Sequence, residues 1–240
     1  MRSWTADRFL RTAGLALTDA QRAAVRHIHD WRLLVPAYIG RSRPPADLTQ
    51  VYCFGAAHGH TVSELVAAFR FQDLRLPTIH AFDSFEGLPD EEPGIAIPPV
   101  WSRGAFANSL DDFHRRVAPL NFEPGRLVVH PGWFADTLKT SDVAAGVLKP
   151  ALYVDFDADL YCSTRDALEF MFAERLIRAG TLIGYDDWGD TKLWLAGESR
   201  AHQEATERHG VRATQLFSWG EPPLVRTLFR VDSVDGVRTD

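Results

Sequence analysis

Short runs of apolar residues alternate along this chain with longer segments in which apolar residues recur every three or four positions. The short runs predict five strands, and two further strands are predicted near the end of the chain. The predicted strands are residues 51–54, 78–82, 126–130, 151–156, 181–185, 213–219 and 224–231, and the main predicted helices are residues 62–71, 163–179 and 194–209. This alternation predicts an α/β fold with a mostly parallel sheet and helices on both faces.

The first forty residues lack this alternation, and their apolar positions follow a helical period. Pro44 and Pro45 end the section, because proline cannot continue a helix. We therefore predict an N-terminal helical cap over residues 1–45 and a single α/β domain over residues 46–240. One simple packing helix in place of a cap fits the same pattern.

The segment after the first predicted strand, Phe54-Gly-Ala-Ala-His-Gly-His-Thr61, combines a glycine turn with the start of a helix. In parallel sheets, ligands bind beyond the carboxyl ends of the strands, where this segment lies. Thr61 followed by Glu64 is a capping-box pattern, which predicts a helix N-terminus with free N–H groups for a ligand. The segment is typical of a cofactor loop, although glycines in such turns are often structural. Its spacing is not GxGxxG, which disfavours NAD and FAD.

The next two strand ends also carry candidate ligand-binding residues. Asp83 follows the second strand, where a carboxylate can accept hydrogen bonds from a ribose diol, and Ser84 comes next. Trp133 and Phe134 follow the third strand and offer flat faces that suit an adenine ring. A turn aspartate and a core aromatic pair are the structural alternatives at these positions.

Acidic residues gather after the fourth and fifth strands. Asp155, Asp157 and Asp159 alternate along the chain, and the pair Asp186-Asp187 ends the next strand. Neighbouring carboxylates repel one another unless a cation neutralises them, and oxygen ligands suit Mg²⁺. We predict a metal site formed by Asp157, Asp186 and Asp187, whereas we interpret Asp159 and Asp190 as helix-capping residues.

Charge, hydropathy and cysteine content argue against a nucleic-acid partner, a membrane span and secretion. The formal net charge is -6 and no long basic run appears, which argues against a nucleic-acid partner. No apolar run is long enough for a membrane span, and the first residues lack the apolar core of a secretory signal. The two cysteines, Cys53 and Cys162, match neither a disulfide framework nor a zinc site. These features predict a cytoplasmic protein.

Five segments together resemble a known family over roughly residues 50–200. They are YCFGAAHGHT, FDSFEGLP, HPGWFADTL, DFDADLYCST and LIGYDDWGD, in this order. They resemble the macrocin O-methyltransferase-like family, whose members methylate sugar hydroxyls on macrolide and aminocoumarin antibiotics. The resemblance implies a Rossmann-like class I methyltransferase with a seven-stranded sheet whose last strand is antiparallel.

The resemblance also implies S-adenosylmethionine and Mg²⁺ as cofactors and gives the site residues their roles. It implies that the first loop lines the methionine part, that Asp83 and Ser84 lie at the ribose, and that residues 132–134 lie near the adenine. The expected cofactor-binding residues are Gly55, Ala56, His58, Gly59, Thr61, Asp83, Ser84, Gly132, Trp133, Phe134 and Asp157, and the expected metal ligands are Asp157, Asp186 and Asp187. Cys53 departs from the family, which usually has an acidic residue at this position.

The expected reaction is an SN2 methyl transfer to a hydroxyl oxygen of a small molecule, a sugar or a diol on a natural product. Asp157 is the first candidate for the residue that takes the proton, Asp159 is the second, and His58 and His60 remain possible. Two other readings stay open. One is an Asp-x-Asp glycosyltransferase, which leaves the pair Asp186-Asp187 unexplained, and the other is a non-catalytic cofactor-binding domain.

The segment 93–110 is rich in proline and glycine and is either a lid over the site or an ordinary crossover loop. As a lid it would bring Trp101 and Arg103 to the acceptor. Because family members often associate through their terminal regions, a homodimer is also an expectation of the resemblance.

Overall fold

The computed structural model describes residues 31–189, 197–221 and 224–235. They contain seven strands, one for each predicted strand and with bounds that differ by at most three residues. The strands are β1 (Gln50–Phe54), β2 (Thr78–Asp83), β3 (Leu127–Pro131), β4 (Ala151–Phe156), β5 (Leu182–Tyr185), β6 (Val211–Glu221) and β7 (Leu224–Val234). Most of the predicted N-terminal cap lies outside the described residues.

All seven strands form one sheet in the order β3-β2-β1-β4-β5-β7-β6. The first five strands pair in parallel, whereas β7 runs antiparallel to both β5 and β6. The sequence-based prediction of a mostly parallel, seven-stranded α/β sheet is therefore confirmed. The order reverses between β1 and β4, which is where a parallel sheet opens a crevice for a ligand.

Seven helices connect or precede the strands in the described part of the chain. They are α1 (Leu34–Ser42), α2 (His60–Phe71), α3 (Leu110–Val117), α4 (Phe134–Thr137), α5 (Thr140–Ala144), α6 (Tyr161–Ala173) and α7 (Glu198–Arg208). None of these helices has the length and apolar character needed to cross a membrane.

Two helix predictions need correction. Helix α2 begins at His60, so Thr61 lies within its first turn and is not the capping residue of the predicted capping box. Helix α6 ends at Ala173 and not at residue 179. Arg175 adopts a left-handed φ of 55°, which turns the chain, and Leu176 and Ile177 then enter the core from this turn. Their apolar side chains had extended the helical pattern.

The described residues divide into two compact units, of which the first comprises residues 31–43 together with 63–76. The second unit comprises residues 44–62 and the described residues from 77 onward, and it contains all seven strands. The candidate site described below is formed entirely by residues of this second unit.

One row of aromatic rings crosses five neighbouring strands. Neighbouring members are paired in the strand register, and their ring centroids lie between 4.1 and 5.2 Å apart. The members are His130, Phe82, Phe54, Phe156 and Tyr185, in the order of the strands. Each lies at or next to the carboxyl end of its strand, so this ring row forms the last packed layer below the loops.

The segment between β2 and α3 is folded on itself. Leu88 donates a backbone hydrogen bond to Ala105 (3.0 Å) and accepts one from Gly104 (2.9 Å). Trp101 is buried against Leu88 and Leu160. Trp101 therefore lies in a small apolar cluster and is not among the residues that line the cavity described below.

Candidate active site

A cavity of about 570 Å³ opens at the carboxyl edge of the sheet, around the ends of β1, β2 and β4. Seven of the predicted cofactor-binding residues line it, and they come from all four predicted segments. They are Gly55, His58, Asp83, Ser84, Trp133, Phe134 and Asp157. The sheet therefore brings together residues that are up to 102 positions apart in the sequence.

Four predicted cofactor-binding residues lie outside the lining of the cavity. Ala56 and Thr61 are buried beside it. Gly59 packs against α3, where an added Cβ would lie 3.0 Å from Val117 Cγ1. Gly132 has a φ of 133° in the turn after β3. These residues shape the loops around the cavity.

Asp83 holds the first loop in place and faces the cavity. Its carboxylate accepts hydrogen bonds from the backbone N–H groups of Ala57 and Phe85, both at 2.7 Å. Burial raises the pKa of the Asp83 carboxyl above its ordinary value, although these two hydrogen bonds act in the opposite direction. Because each carboxylate oxygen can accept more than one hydrogen bond, Asp83 retains capacity for a diol in the cavity.

Gly55 brings the first loop against the end of β4. Its φ of +88° lies in the left-handed region, and an added Cβ would lie 1.8 Å from the carbonyl oxygen of Asp157. No side chain can occupy this space, so glycine is required at this position. The backbone of Asp157 is thereby fixed from the β1 side.

The two aromatic residues after β3 have different surroundings. Phe134 lines the cavity and also packs edge-on against Phe54 of the ring row, with 5.2 Å between ring centroids. Trp133 lines the cavity without such a core contact among the described rings. Phe134 therefore has the core contact of one alternative and also faces the cavity, whereas its contact with an adenine stays a prediction.

The acidic residues after β4 and β5 converge. Carboxylate oxygens of Asp157, Asp186 and Asp187 all lie within 4.8 Å of one another. The two segments are held in register by backbone hydrogen bonds from Asp157 to Phe54 and from Asp186 to Phe156, both 2.9 Å long. An all-oxygen set of this kind fits a hard divalent cation such as Mg²⁺.

Arg226 of β7 partly neutralises this cluster. Its Nε and one terminal nitrogen donate to the two carboxylate oxygens of Asp186, at 2.8 and 3.0 Å. Such a two-point contact fixes the plane of the carboxylate as well as its position. The sequence analysis did not identify this arginine, because it lies 40 residues after its partner.

Asp159 belongs to the acidic cluster, and its interpretation as a helix cap is wrong. Residue Leu160 precedes helix α6, and the first N–H groups of the helix donate instead to Glu91, at 2.7 Å from Tyr161 and 3.1 Å from Cys162. Burial and the neighbouring carboxylates of Asp187 and Asp157 raise the pKa of Asp159 well above its ordinary value. Its backbone adopts a left-handed φ of 59° just before the helix. Asp190 lies outside the described residues.

Cys53 has an acidic residue beside it on the neighbouring strand. It pairs with Asp155 in the register of β1 and β4, and Asp155 is fully buried. The Tyr153 hydroxyl donates a hydrogen bond to the Asp155 carboxylate. Neither Cys53 nor Asp155 lines the cavity, so Asp155 is separate from the cluster formed by Asp157, Asp159, Asp186 and Asp187.

The two histidines of the first loop are both exposed, but only His58 lines the cavity. Burial, followed by the charges of Arg116 and His58, lowers the pKa of His60. Since His60 lies outside the lining, His58 is the histidine that can reach a ligand there.

Comparisons with known proteins show what this chain is similar to. The curated demethyldecarbamoylnovobiocin O-methyltransferase of Streptomyces niveus is 27% identical over 170 residues, which cover 68% of this chain and 60% of that relative. The chain thus spans less than two thirds of the length of this relative.

Solved structures show the same fold. The calicheamicin methyltransferase CalS11 matches with a TM-score of 0.65 and 19% identity, over 94% of this chain and 91% of that one. The O-methyltransferase NovP matches with a TM-score of 0.63 and 19% identity, over 84% and 78%. The fold is that of the class I methyltransferases. The profile of the family described as macrocin O-methyltransferase (TylF) matches residues 58–213, more than half of the sequence, and the chain belongs to this family.

Proposed function

We propose that this chain transfers a methyl group from S-adenosylmethionine to a hydroxyl oxygen of a small molecule, with the help of Mg²⁺. The observation that carries the proposal is that the acidic cluster meets, at Asp157, the cavity that the residues suited to a nucleoside also line. Asp157 belongs to both, since it lines the cavity and contributes to the cluster. The acceptor class, a sugar or diol hydroxyl on a natural product, rests on the family and its named relative.

Different residues that line the cavity suit different parts of the cofactor. Asp83 would accept hydrogen bonds from the ribose hydroxyls, and Trp133 and Phe134 would hold the adenine. Gly55 leaves the backbone of the first loop open to the methionine part, near His58. In-line approach of the acceptor oxygen to the sulfonium methyl group then depends on how these residues and the acidic cluster fix the two partners.

Asp157, Asp186 and Asp187 hold the metal ion in this proposal, and Arg226 keeps Asp186 oriented. When bound, Mg²⁺ supplies a Lewis acid that lowers the pKa of the acceptor hydroxyl. The reaction moves the methyl group to the hydroxyl oxygen, breaks its bond to sulfur and releases one proton. Asp157 was the first candidate for the group that takes this proton.

We infer that Asp159 takes the proton and that Asp157 remains a ligand. Asp159 lines the cavity beside the three ligand candidates and lies outside the group whose oxygens converge. A proton taken up by Asp159 would therefore leave the carboxylates of Asp157, Asp186 and Asp187 available to the metal ion. A carboxylate placed in this way acts as a general base at hydrogen-bonding distance.

Thermal unfolding in the presence of ligands tests the proposal. S-adenosylhomocysteine and MgCl₂ are each expected to raise the melting temperature, by an amount equivalent to about 2.7 kcal/mol at a hundredfold excess over the dissociation constant. Asp187→Asn is expected to retain the response to S-adenosylhomocysteine and to lose the response to MgCl₂. Stabilisation by UDP and not by S-adenosylhomocysteine would favour the glycosyltransferase reading instead.

Turnover is measured with tritiated S-adenosylmethionine and a panel of glycosylated macrolides and aminocoumarins. We expect label to enter a sugar hydroxyl of at least one acceptor and chelation of the metal to stop the transfer. Binding of the cofactor without turnover of any diol or sugar acceptor would support the non-catalytic reading. Full activity in the presence of a chelator would refute the role of Mg²⁺.

A further inference from the structure

The carboxylate of Glu198 links the two segments that carry the metal-ligand candidates. One oxygen accepts a hydrogen bond from the backbone N–H of Ala158, at 3.3 Å, and the other accepts one from the N–H of Asp187, at 3.0 Å. Glu198 is fully buried and is the first residue of α7, remote in sequence from both donors. Its side chain does not line the cavity.

These two N–H groups lie just beyond the last rung of the sheet. The pairing of β4 with β5 ends at Phe156 and Tyr185, and the final backbone hydrogen bond runs from Asp186 to Phe156. Beyond this point no backbone hydrogen bond joins the segments that follow β4 and β5 in the described structure. The two oxygens of Glu198 therefore replace a rung of the sheet and join the strands one step further.

Helix α7 holds Glu198 firmly in this position. Ala201 and Ala205 lie on the same helical face as Glu198 and belong to the hydrophobic core. His202 makes a 2.9 Å hydrogen bond with the hydroxyl of Tyr185, the residue that precedes the Asp186-Asp187 pair. The helix thus contacts the end of β5 at two points, through Glu198 and through His202.

We propose that Glu198 is a positioning residue, which sets the separation of Asp157 and Asp187 and thereby the affinity of the chain for Mg²⁺. The proposal rests on the metal site proposed above. Glu198 acts on Asp157 through the adjacent backbone at Ala158 and on Asp187 directly through its N–H. It is not a ligand, because both of its oxygens accept N–H groups and it lies outside the cluster of converging carboxylates.

The chemistry of the side chain distinguishes positioning from simple attraction between charges. Glutamine keeps one oxygen acceptor at nearly the same place, but its amide nitrogen cannot accept the second N–H. Alanine keeps neither acceptor. Both substitutions replace the carboxyl group by an uncharged side chain, so a difference between them reports on the remaining hydrogen bond together with the packing that alanine loses.

Isothermal titration with MgCl₂ at saturating S-adenosylhomocysteine tests the proposal on the full chain. We expect Glu198→Gln to weaken Mg²⁺ binding roughly 10-fold and Glu198→Ala up to about 100-fold, as for other residues that orient metal ligands. Affinity for S-adenosylhomocysteine without metal is expected to stay within about twofold. Glu207→Gln, an exposed change on the same helix, is the matched control and is expected to bind Mg²⁺ like the unchanged protein.

Hydrogen exchange gives a readout that needs no metal. Faster exchange of the amides at Ala158 and Asp187 in Glu198→Gln, with unchanged exchange in the core of α6, supports the proposal. Equal Mg²⁺ affinity of the glutamine and alanine variants would overturn it, and so would parallel losses of metal binding, cofactor binding and stability in the glutamine variant. If the unchanged protein fails to bind Mg²⁺, the proposed metal site falls together with this inference. If the unchanged protein binds Mg²⁺ and the Glu198 variants bind it equally well, the proposed metal site stands and this inference alone is wrong.

Discussion

Two consecutive layers of the same strands have opposite character. The ring row formed by His130, Phe82, Phe54, Phe156 and Tyr185 crosses five strands with its rings in contact. The next residue along four of these strands is Asp83, Gly55, Asp157 or Asp186. Because side chains alternate between the two sides of a strand, a step of one residue separates dense apolar packing from the groups that line the site.

The two layers are stabilised in different ways. The ring row gains from the removal of apolar surface from water and from stacking. Like charges in the acidic layer repel one another, as the raised pKa of Asp159 indicates, and the contact of Arg226 with Asp186 offsets part of this repulsion. The ring row therefore stabilises the fold, whereas the acidic layer holds negatively charged groups at positions suited to a cation. Substitutions in the two layers should separate activity from stability.

The largest effect is expected from Asp157→Asn in the acidic layer. Loss of one negatively charged metal ligand should lower kcat/KM by more than about 100-fold in a methyl-transfer assay, because the hydroxyl loses its activation. The melting temperature without metal should stay the same or rise, since the change relieves repulsion between carboxylates. The exposed change Asp111→Asn serves as control. A large drop in stability with Asp157→Asn would show that the acidic layer maintains the fold.

Phe156→Ala in the ring row should have the opposite result. It removes a fully buried ring that stacks on Phe54 and Tyr185, so the free energy of unfolding should fall by about 3–5 kcal/mol. Phe156→Leu retains most of the volume and should cost about 1.5 kcal/mol or less. Denaturant unfolding measures both. Equal losses for the two variants would mean that the stacking, and not the filled volume, dominates.

The smallest effect is expected from His80, a buried ring that contacts His130 of the ring row. His80 stacks on Tyr52 and pairs with His130 at 3.0 Å, and burial together with His130 lowers its pKa from 6.5 to about 3. The folded chain thus binds the proton less readily than the unfolded chain. The contribution of the neutral His80 ring to the free energy of unfolding is complete above pH 6.5. It is lost as the pH falls, by up to about 1.4 kcal/mol per pH unit between pH 6 and 3.

His80→Phe should therefore flatten the dependence of unfolding free energy on pH in this acidic range. The exposed change His114→Phe should leave the dependence as it is. Carboxylates contribute to acid unfolding in every variant, so the difference between curves is the measured quantity. An unchanged slope in His80→Phe would show that His80 takes up its proton over the same pH range in the folded and the unfolded chain.

Much of the fold followed from the sequence, because strand-forming runs of apolar residues are local signals. The carboxyl-edge position of Asp83, Asp157 and the Asp186-Asp187 pair followed from the same pattern, since parallel strands bring their ends together. The end of α6 could not be predicted, because Leu176 and Ile177 continue the apolar pattern through a turn. Asp159 was misassigned because its left-handed backbone depends on the surrounding loops.

Residues that act from a distance were missed for a different reason. Arg226 and Glu198 reach the acidic layer from β7 and α7, and no spacing rule connects them to it. For Glu198 one signal was present: an acidic residue shares a helical face with Ala201 and Ala205. An acid on an otherwise apolar face requires a buried partner, so such a position is a candidate for an internal hydrogen-bonding role.

The contact between Gly55 and Asp157 couples two recognition events that otherwise look separate. An added Cβ on Gly55 would lie 1.8 Å from the carbonyl oxygen of Asp157, so the turn proposed to bind the sulfonium and the aspartate proposed to bind the cation lie against each other. Under the proposed function, a shift of either backbone would displace the other, and cofactor binding and metal binding would be coupled in both directions. The glycine is thus demanded by the architecture of the empty protein, before any ligand arrives. Changes that widen this turn to admit bulkier cofactor analogues would disturb the cation as well.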